Sequence, residues 1–376
     1  MKILIIGNGA AGVAAAEAIK QRKPDYKITI LTDEPYLHYS RPRVIEFLGG
    51  RINDEQLVIK KQEWYDSNNI ELRTNVKVSI LHAAAKEVTL LGGEKISADK
   101  IVIAAGAHSF IPPFEGHDLE GVSGLRTIDD AKRLISAARG KPSAVAIGGG
   151  LLGIEAAISL VSLGLKITVV EFFQRLLPRQ LDSDGAAILK KLLEAKGLEF
   201  RLGEETKSVA ASEGGLRVEF KSGGSTQGAI VLVSAGVRPN TAFLKDSGIE
   251  INKGVKVNEK METSAEGIYA CGDIAEHNGA LYGIWPAARE QGTAAGLAIA
   301  GEEAQYKGSV MSTKLKVAGI EVASIGRIEE GPGDEITKDS KENIYKKVIR
   351  KEGKIAGAIL LGDTSEFNAL KKEAGV

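Results

Sequence analysis

The feature that most constrains this chain is a glycine turn set between a strand and a helix, and it occurs twice. Residues 144–171 read AVAIGGGLLGIEAAISLVSLGLKITVVE. A short run ending at Ile147 reads as a buried strand, and the loop Gly148-Gly149-Gly150-Leu151-Leu152-Gly153 follows. A helical run with small residues on its packing face comes next. A second strand, Lys166 to Val170, then delivers Glu171. The first glycine suits a tight turn, the middle ones let backbone approach a diphosphate, and Gly153 lets helix and strand pack closely. Free N–H groups and the dipole favour an anion at the helix start. The pattern therefore points to a dinucleotide. Glu171 can accept hydrogen bonds from an adenosine ribose and would repel a 2′-phosphate, which favours NADH over NADPH; Arg175 just beyond weakens that preference slightly.

The N-terminal copy has the same parts. Ile3-Leu4-Ile5-Ile6 is a buried-type strand, Gly7-Asn8-Gly9-Ala10-Ala11-Gly12 is the loop, a helix runs to about Arg22 before Pro24, and the strand Ile28 to Leu31 leads to Asp33-Glu34. One such loop is weak evidence of nucleotide binding. Two, each with strand, helix, strand and acid, outweigh the rival reading of two glycine-rich turns in a plain α/β sheet. A second echo agrees. Ile101 to Gly106 and Val231 to Gly236 each read as a buried strand that brings a small residue and a glycine to a proline-bearing crossover. The expected fold is α/β, with two Rossmann-like domains, the second inserted into the first, and a small α+β tail. The expected boundaries are 1–112 with 236–305, then 113–235, then 306–376.

Further elements follow from capping and spacing. Helices are expected over Lys60 to Asn68, over 127–139 with Thr127 as N-cap, over Ser183 to Lys196 capped by Asp182 or Ser183, and from Ile284 to Ala300. Gly292 and Gly296 leave one face of the last helix bare, so something must pack close to it. Residues 216–233 read as two strands around Gly223-Gly224, and a short strand Ile268 to Ala270 ends on Gly272-Asp273. Tail strands are expected over Lys314 to Val317, Val322 to Ile325, Tyr345 to Ile349 and Ile355 to Leu361.

Composition removes whole classes of function. Net charge is zero, so no global pull toward nucleic acid or a membrane surface is expected. The single cysteine, Cys271, rules out an internal disulfide and reads as a small buried filler. No Cys/His/carboxylate cluster has metal-ligand spacing, and no Ser-His-Asp arrangement stands out. No apolar stretch approaches the ~18 residues of a membrane helix, and no leader of signal type opens the sequence, so the expected location is the cytoplasm.

The two glycine loops, the crossovers ending at Gly106 and Gly236, and Tyr269-Ala270-Cys271-Gly272-Asp273 together resemble the two-dinucleotide-binding-domain flavoproteins of the pyridine nucleotide-disulfide oxidoreductase superfamily, over roughly residues 1–305. More narrowly, Glu34-Pro35-Tyr36 through Tyr39 and Arg41-Pro42, the run from Gly148 to Ala157, Gln180 to Asp182, Met261 to Asp273 and Ser312 to Gly319 look like NADH:rubredoxin oxidoreductases and equally like the flavoprotein part of NADH-dependent nitrite reductase large subunits.

The resemblance implies roles. Gly7, Gly9, Ala10, Ala11 and Gly12 would hold an FAD diphosphate, with Asp33 or Glu34 on the adenosine ribose. Arg41 and Pro42 would border the flavin and its phosphates, Ala105, Gly106 and Gly236 would line the crossovers, and Gly272 and Asp273 would meet the ribityl or diphosphate region. Amides from Trp285 onward would face the pyrimidine edge of the flavin. Gly148, Gly150, Leu152, Gly153 and Glu171 would hold NADH, with Glu155 reaching the nicotinamide. No residue is a certain catalytic group; Trp285, Glu155 and Arg41 would position.

The implied activity is an FAD-dependent NADH oxidoreductase that passes single electrons to a rubredoxin-like protein. Alternatives are an NADH oxidase, a subunit of a nitrite-reductase-type complex, and a non-enzymatic FAD/NADH redox sensor. A homodimer fits the tail. Arg41, Arg43, Lys60, Lys61, Lys314 and Lys316 would supply basic charge for an acidic partner. Two departures matter. No redox cysteine lies in the first domain, which puts a thiol mechanism out of reach. Glu46 also stands where related oxygenase reductases place a flavin-side lysine.

Overall fold

The computed structural model describes residues 1–309 and 313–375, and Ser312 of the tail motif lies outside them. The chain divides into two compact units. The first comprises Met1–Pro42, Asp54–His108 and Val237–Ser309; the second comprises Arg43–Asn53, Ser109–Gly236 and Val310–Val376.

In the first unit five parallel strands lie in the order Ile268–Ala270, Lys100–Ile103, Lys2–Ile6, Lys27–Leu31, Ile70–Arg73. Lys2–Ile6 is central, with Ile5 facing Ile30 on one side and Val102 on the other. A strand covered on both faces needs a continuous apolar run, and Ile3-Leu4-Ile5-Ile6 provides it. The helix Ala10–Arg22 packs along the helix Trp285–Ala300. A Cβ at Gly292 would fall inside contact with the Ala11 carbonyl, and one at Gly296 would lie 2.5 Å from that of Ala15. The bare face expected from Gly292 and Gly296 is therefore filled by the first glycine-turn helix. A three-stranded antiparallel sheet (Val78–His82, Glu87–Leu90, Lys95–Ser97) completes the unit. Its strands are too short for their alternation to stand out in the sequence.

The second unit repeats the plan, with parallel strands in the order Leu198–Leu202, Lys166–Glu171, Ser143–Ile147, Ile230–Val233, Val122–Ser123. The helix Ile128–Ala138 begins with Thr127 and Asp130 in a reciprocal capping box, and Asp182 caps Ser183–Glu194 through the Gly185 amide at 3.0 Å. The hairpin about Gly223 forms between Gly215–Phe220 and Ser225–Gly228. Its second arm does not run through to Val233. A Cβ at Gly228 would lie 2.8 Å from the Ala144 backbone, and beyond that close approach the chain joins the parallel sheet as Ile230–Val233.

The tail is an antiparallel sheet ordered Thr313–Val317, Ile320–Gly326, Lys354–Leu361, Ile344–Lys351, Asp334–Lys341, followed by the helix Phe367–Glu373. Four of its strands match the expected apolar runs. Asp334–Lys341 reads DEITKDSK, an edge strand exposed almost throughout, so no apolar pattern announced it. No described helix is long and apolar enough to cross a membrane. Among the described residues no group of three or more His, Cys, Asp or Glu could hold a metal ion.

Candidate functional site

Five described helices exceed ten residues, and their N-termini fall into two kinds. Ile128–Ala138 and Ser183–Glu194 are capped by side chains. Ala10–Arg22, Leu151–Ser162 and Trp285–Ala300 start at Gly9, Gly150 and Ile284 with no side-chain cap. Their first N–H groups are left for another acceptor, and these are the three helix starts the sequence assigns to cofactors.

At the first start, Gly7 has φ +116°, and a Cβ there would overlap the Ala104 carbonyl. A Cβ on Gly12 would overlap the Gly7 carbonyl, so the turn closes only with glycine at both positions. A Cβ on Gly9 would meet nothing within 4 Å, so the backbone there faces open space. Ala10 and Ala11 open the helix. Beyond the second strand Asp33 is exposed, whereas Glu34 is half-buried and accepts hydrogen bonds from the Tyr39 hydroxyl and the Arg41 guanidinium, each at 2.6 Å. Arg41 and Pro42 form a 3₁₀ turn. Burial opposes the Arg41 charge, but Tyr39, Glu34 and Asp273 outweigh it and raise its pKa.

The sequence did not foretell that Asn8, His38 and Tyr65 join in one buried polar cluster. The Tyr65 hydroxyl donates to Asn8 Oδ1 at 2.9 Å and accepts from the His38 amide at 3.2 Å; His38 Nδ1 lies 2.9 Å from the Asn8 carbonyl. Tyr65 reads as core, and it is core, but its hydroxyl also steadies the loop. Asn8 Nδ2 and His38 Nε2 are buried with no partner among the described residues. Burial pushes His38 down to about 4, against the pull of the Asn8 carbonyl, and its ring stacks on half-buried Trp285 at 5.7 Å. Gln291, also buried, accepts the Gly272 amide at 2.8 Å. Ala105 and Gly106 (φ +65°) are held by Asn240, which donates to the Ala105 carbonyl at 2.8 Å.

The second start has the same geometry. Gly148 has φ +117° with the Ser234 carbonyl where a Cβ would go, Gly153 packs on the Gly148 carbonyl, and Gly150 looks onto open space. Leu152 lies in the first helical turn, and Gly236 has φ +105° with nothing within 4 Å of its Cβ position. Glu171 is only 6% exposed, and its two oxygens accept the Gly149 and Phe173 amides. Glu155 is half-buried; Oε1 accepts the Ala318 amide of the tail at 3.0 Å. Burial raises its pKa, opposed by that amide and Arg51 and reinforced by Glu46.

The two uncapped glycine-turn helix starts, each with free N–H groups, fit the diphosphates of two dinucleotides. The sequence model for pyridine nucleotide-disulphide oxidoreductases matches residues 1–292. The chain belongs to that family. Residues 312–373 match the rubredoxin NAD+ reductase C-terminal domain.

The NADH-rubredoxin oxidoreductase of Clostridium acetobutylicum is 35% identical, over 99% of this chain and 93% of its own. Its crystal structure superposes with a TM-score of 0.85, covering 100% of this chain and 94% of that one. A NAD-dependent persulfide reductase from A. fulgidus gives 0.91 at 26% identity, over 100% of this chain and 76% of that one. The Bacillus subtilis nitrite reductase [NAD(P)H] is 36% identical over all of this chain and 48% of its own. The chain thus spans about half the length of the first curated relatives it matches.

Two further sequence expectations can be placed within this family. Cys271 is fully buried, and burial pushes its thiol up to about 12, so it is no nucleophile at neutral pH. Of the six cations expected to attract an acidic partner, Arg41 pairs with Glu34, Arg43 with Glu46 and Lys60 with Glu17. Lys61, Lys314 and Lys316 are exposed.

Proposed function

We propose that this chain is an FAD-dependent NADH oxidoreductase that passes electrons singly to a small redox protein of the rubredoxin kind. FAD is held by residues 1–112 and 236–305, NADH by 113–235, and 306–376 form the tail domain. The observation that carries the reading is the pair of uncapped glycine-turn helices, each with an acid at the end of its next strand.

The chemistry FAD would supply when bound is acceptance of a hydride, whose two electrons then leave one at a time while the proton goes to solvent. The chain's own residues orient. Gly9 and Gly150 bring backbone amides to the two diphosphates, and Glu34 and Glu171 stand ready for the adenosine riboses. The uncapped start of Trp285–Ala300 would favour negative charge on a reduced flavin ring held there. Glu155, its carboxylate fixed by the Ala318 amide, would reach the nicotinamide. Cys271 takes no part, so no thiol relay intervenes.

The match along nearly the whole Clostridium relative supports a rubredoxin-type acceptor. A second reading, the electron-input part of a nitrite-reductase-type enzyme, is favoured by the Bacillus relatives. We place the protein in the cytoplasm, with the tail free to form a homodimer. Anaerobic NADH oxidation against rubredoxin, dioxygen, ferricyanide and nitrite separates these readings. Colourless protein that cannot be reconstituted to bleach with NADH ends them all.

A further inference from the structure

We propose that Glu329, in the tail, sets the preference for NADH over NADPH by occupying the Arg175 guanidinium. This rests on the second glycine turn being the NADH site. After Glu171 the chain folds back over that turn: the Leu177 amide donates to the Gly149 carbonyl at 3.2 Å, and Leu176 lies 2.9 Å from the Gly149 Cβ position. The same segment lines a cavity of about 400 Å³, walled by Phe173, Gln174, Arg175, Pro178 and Arg179. Two arginines beside a strand-end acid would suit a 2′-phosphate as readily as a ribose diol.

The geometry decides against the phosphate. Both Glu171 oxygens are fixed by backbone amides, so the carboxylate cannot swing away from an incoming anion. The Arg175 guanidinium, which could offset that charge, is ion-paired with Glu329 and donates to the Pro178 carbonyl at 3.3 Å. Its Nε is buried and has no acceptor among the described residues. A 2′-phosphate brought to the turn meets the Glu171 charge, while the Arg175 guanidinium on the cavity wall is already occupied by Glu329 and the Pro178 carbonyl. With Glu329 neutral, Arg175 is released to bind it.

The test measures binding of NAD+ and NADP+ to the flavin-loaded protein by titration calorimetry, in wild type, Glu329→Gln, and Glu329→Gln with Arg175→Ala. Glu329 is 59% exposed, so Glu329→Gln keeps the fold, and an unchanged unfolding midpoint checks this. NADP+ should bind roughly five- to tenfold tighter to Glu329→Gln, the scale of one partly screened charge-assisted hydrogen bond. NAD+ should change by less than about twofold, because a ribose diol makes no such bond. Adding Arg175→Ala should abolish the gain. An NADP+ affinity unmoved by Glu329→Gln, or a gain that survives Arg175→Ala, overturns the role of Glu329 alone. Wild-type protein that binds neither nucleotide overturns the NADH site, and this role with it.

Discussion

The two glycine-turn modules share strand, turn, helix and acid but differ in what surrounds them. Ten of the 13 residues of Ala10–Arg22 are buried, against six of the 12 in Leu151–Ser162. The acid of the first module is held by side chains from its own loop, Tyr39 and Arg41, while that of the second is held by the backbone of its own turn. Beside the first lies a buried polar trio, Asn8, His38 and Tyr65. Beside the second lie the exposed rings of Phe172 and Phe173 and an open cavity. A site closed in by packing suits a group that stays, and an open one suits a molecule that enters and leaves each turnover. The same motif can therefore serve a resident flavin and a passing substrate, because the difference lies outside the motif.

The sharpest way to break this comparison is to spoil each turn separately. Gly7→Ala and Gly148→Ala each force a side chain into a carbonyl at positive φ, at a cost above about 3 kcal/mol locally. Gly7→Ala should yield colourless, unstable protein, and Gly148→Ala yellow protein that no longer bleaches with NADH. The reverse pairing of outcomes would exchange the two assignments. Absorbance of the purified proteins and nucleotide titration read this directly.

Next in size is the brace on the second module. Lys347, 2% exposed, pairs with Asp182 at 2.9 Å, and the Tyr345 hydroxyl donates to the same carboxylate at 2.7 Å. Lys347→Ala strips a buried carboxylate of its cation and should cost about 3 kcal/mol in denaturant unfolding. A loss below about 1 kcal/mol, the scale of an exposed pair, would mean the tail is only loosely attached.

The first module has its own pH signature. His38 is depressed to about 4 when folded and titrates near 6.5 when unfolded, so only the unfolded state takes the proton between those values. Its contribution is complete above pH 6.5, falls as pH drops toward 4, and amounts to on the order of 3 kcal/mol. Against His38→Gln, wild-type stability should show that extra loss on acidification. Parallel pH curves would place His38 in a wet pocket.

The smallest effect should come from Cys271→Ala. Removing the buried sulfur costs about 1 kcal/mol and should leave NADH oxidation unchanged. A large fall in turnover would return a thiol to the chemistry.

The sequence made the recurrent parts of both modules legible. Gly7, Gly148 and their partners are constrained by backbone geometry that only glycine meets, so the spacing alone located them. Capping chemistry likewise marked Thr127 and Asp182. What stayed hidden is what depends on distant partners. The Asn8–His38–Tyr65 trio joins residues far apart in the chain, and nothing local to any one of them announces the other two. The edge strand Asp334–Lys341 has no apolar face to show. Arg175 drew notice for its position, but only the fold reveals that Glu329 holds it.

Asp182 closes the foot of one helix through Oδ1 and anchors Tyr345 and Lys347 of the tail through Oδ2. A foreign tail grafted in its place would have to bring its own ammonium group to that spot, or leave a naked anion sealed in the graft.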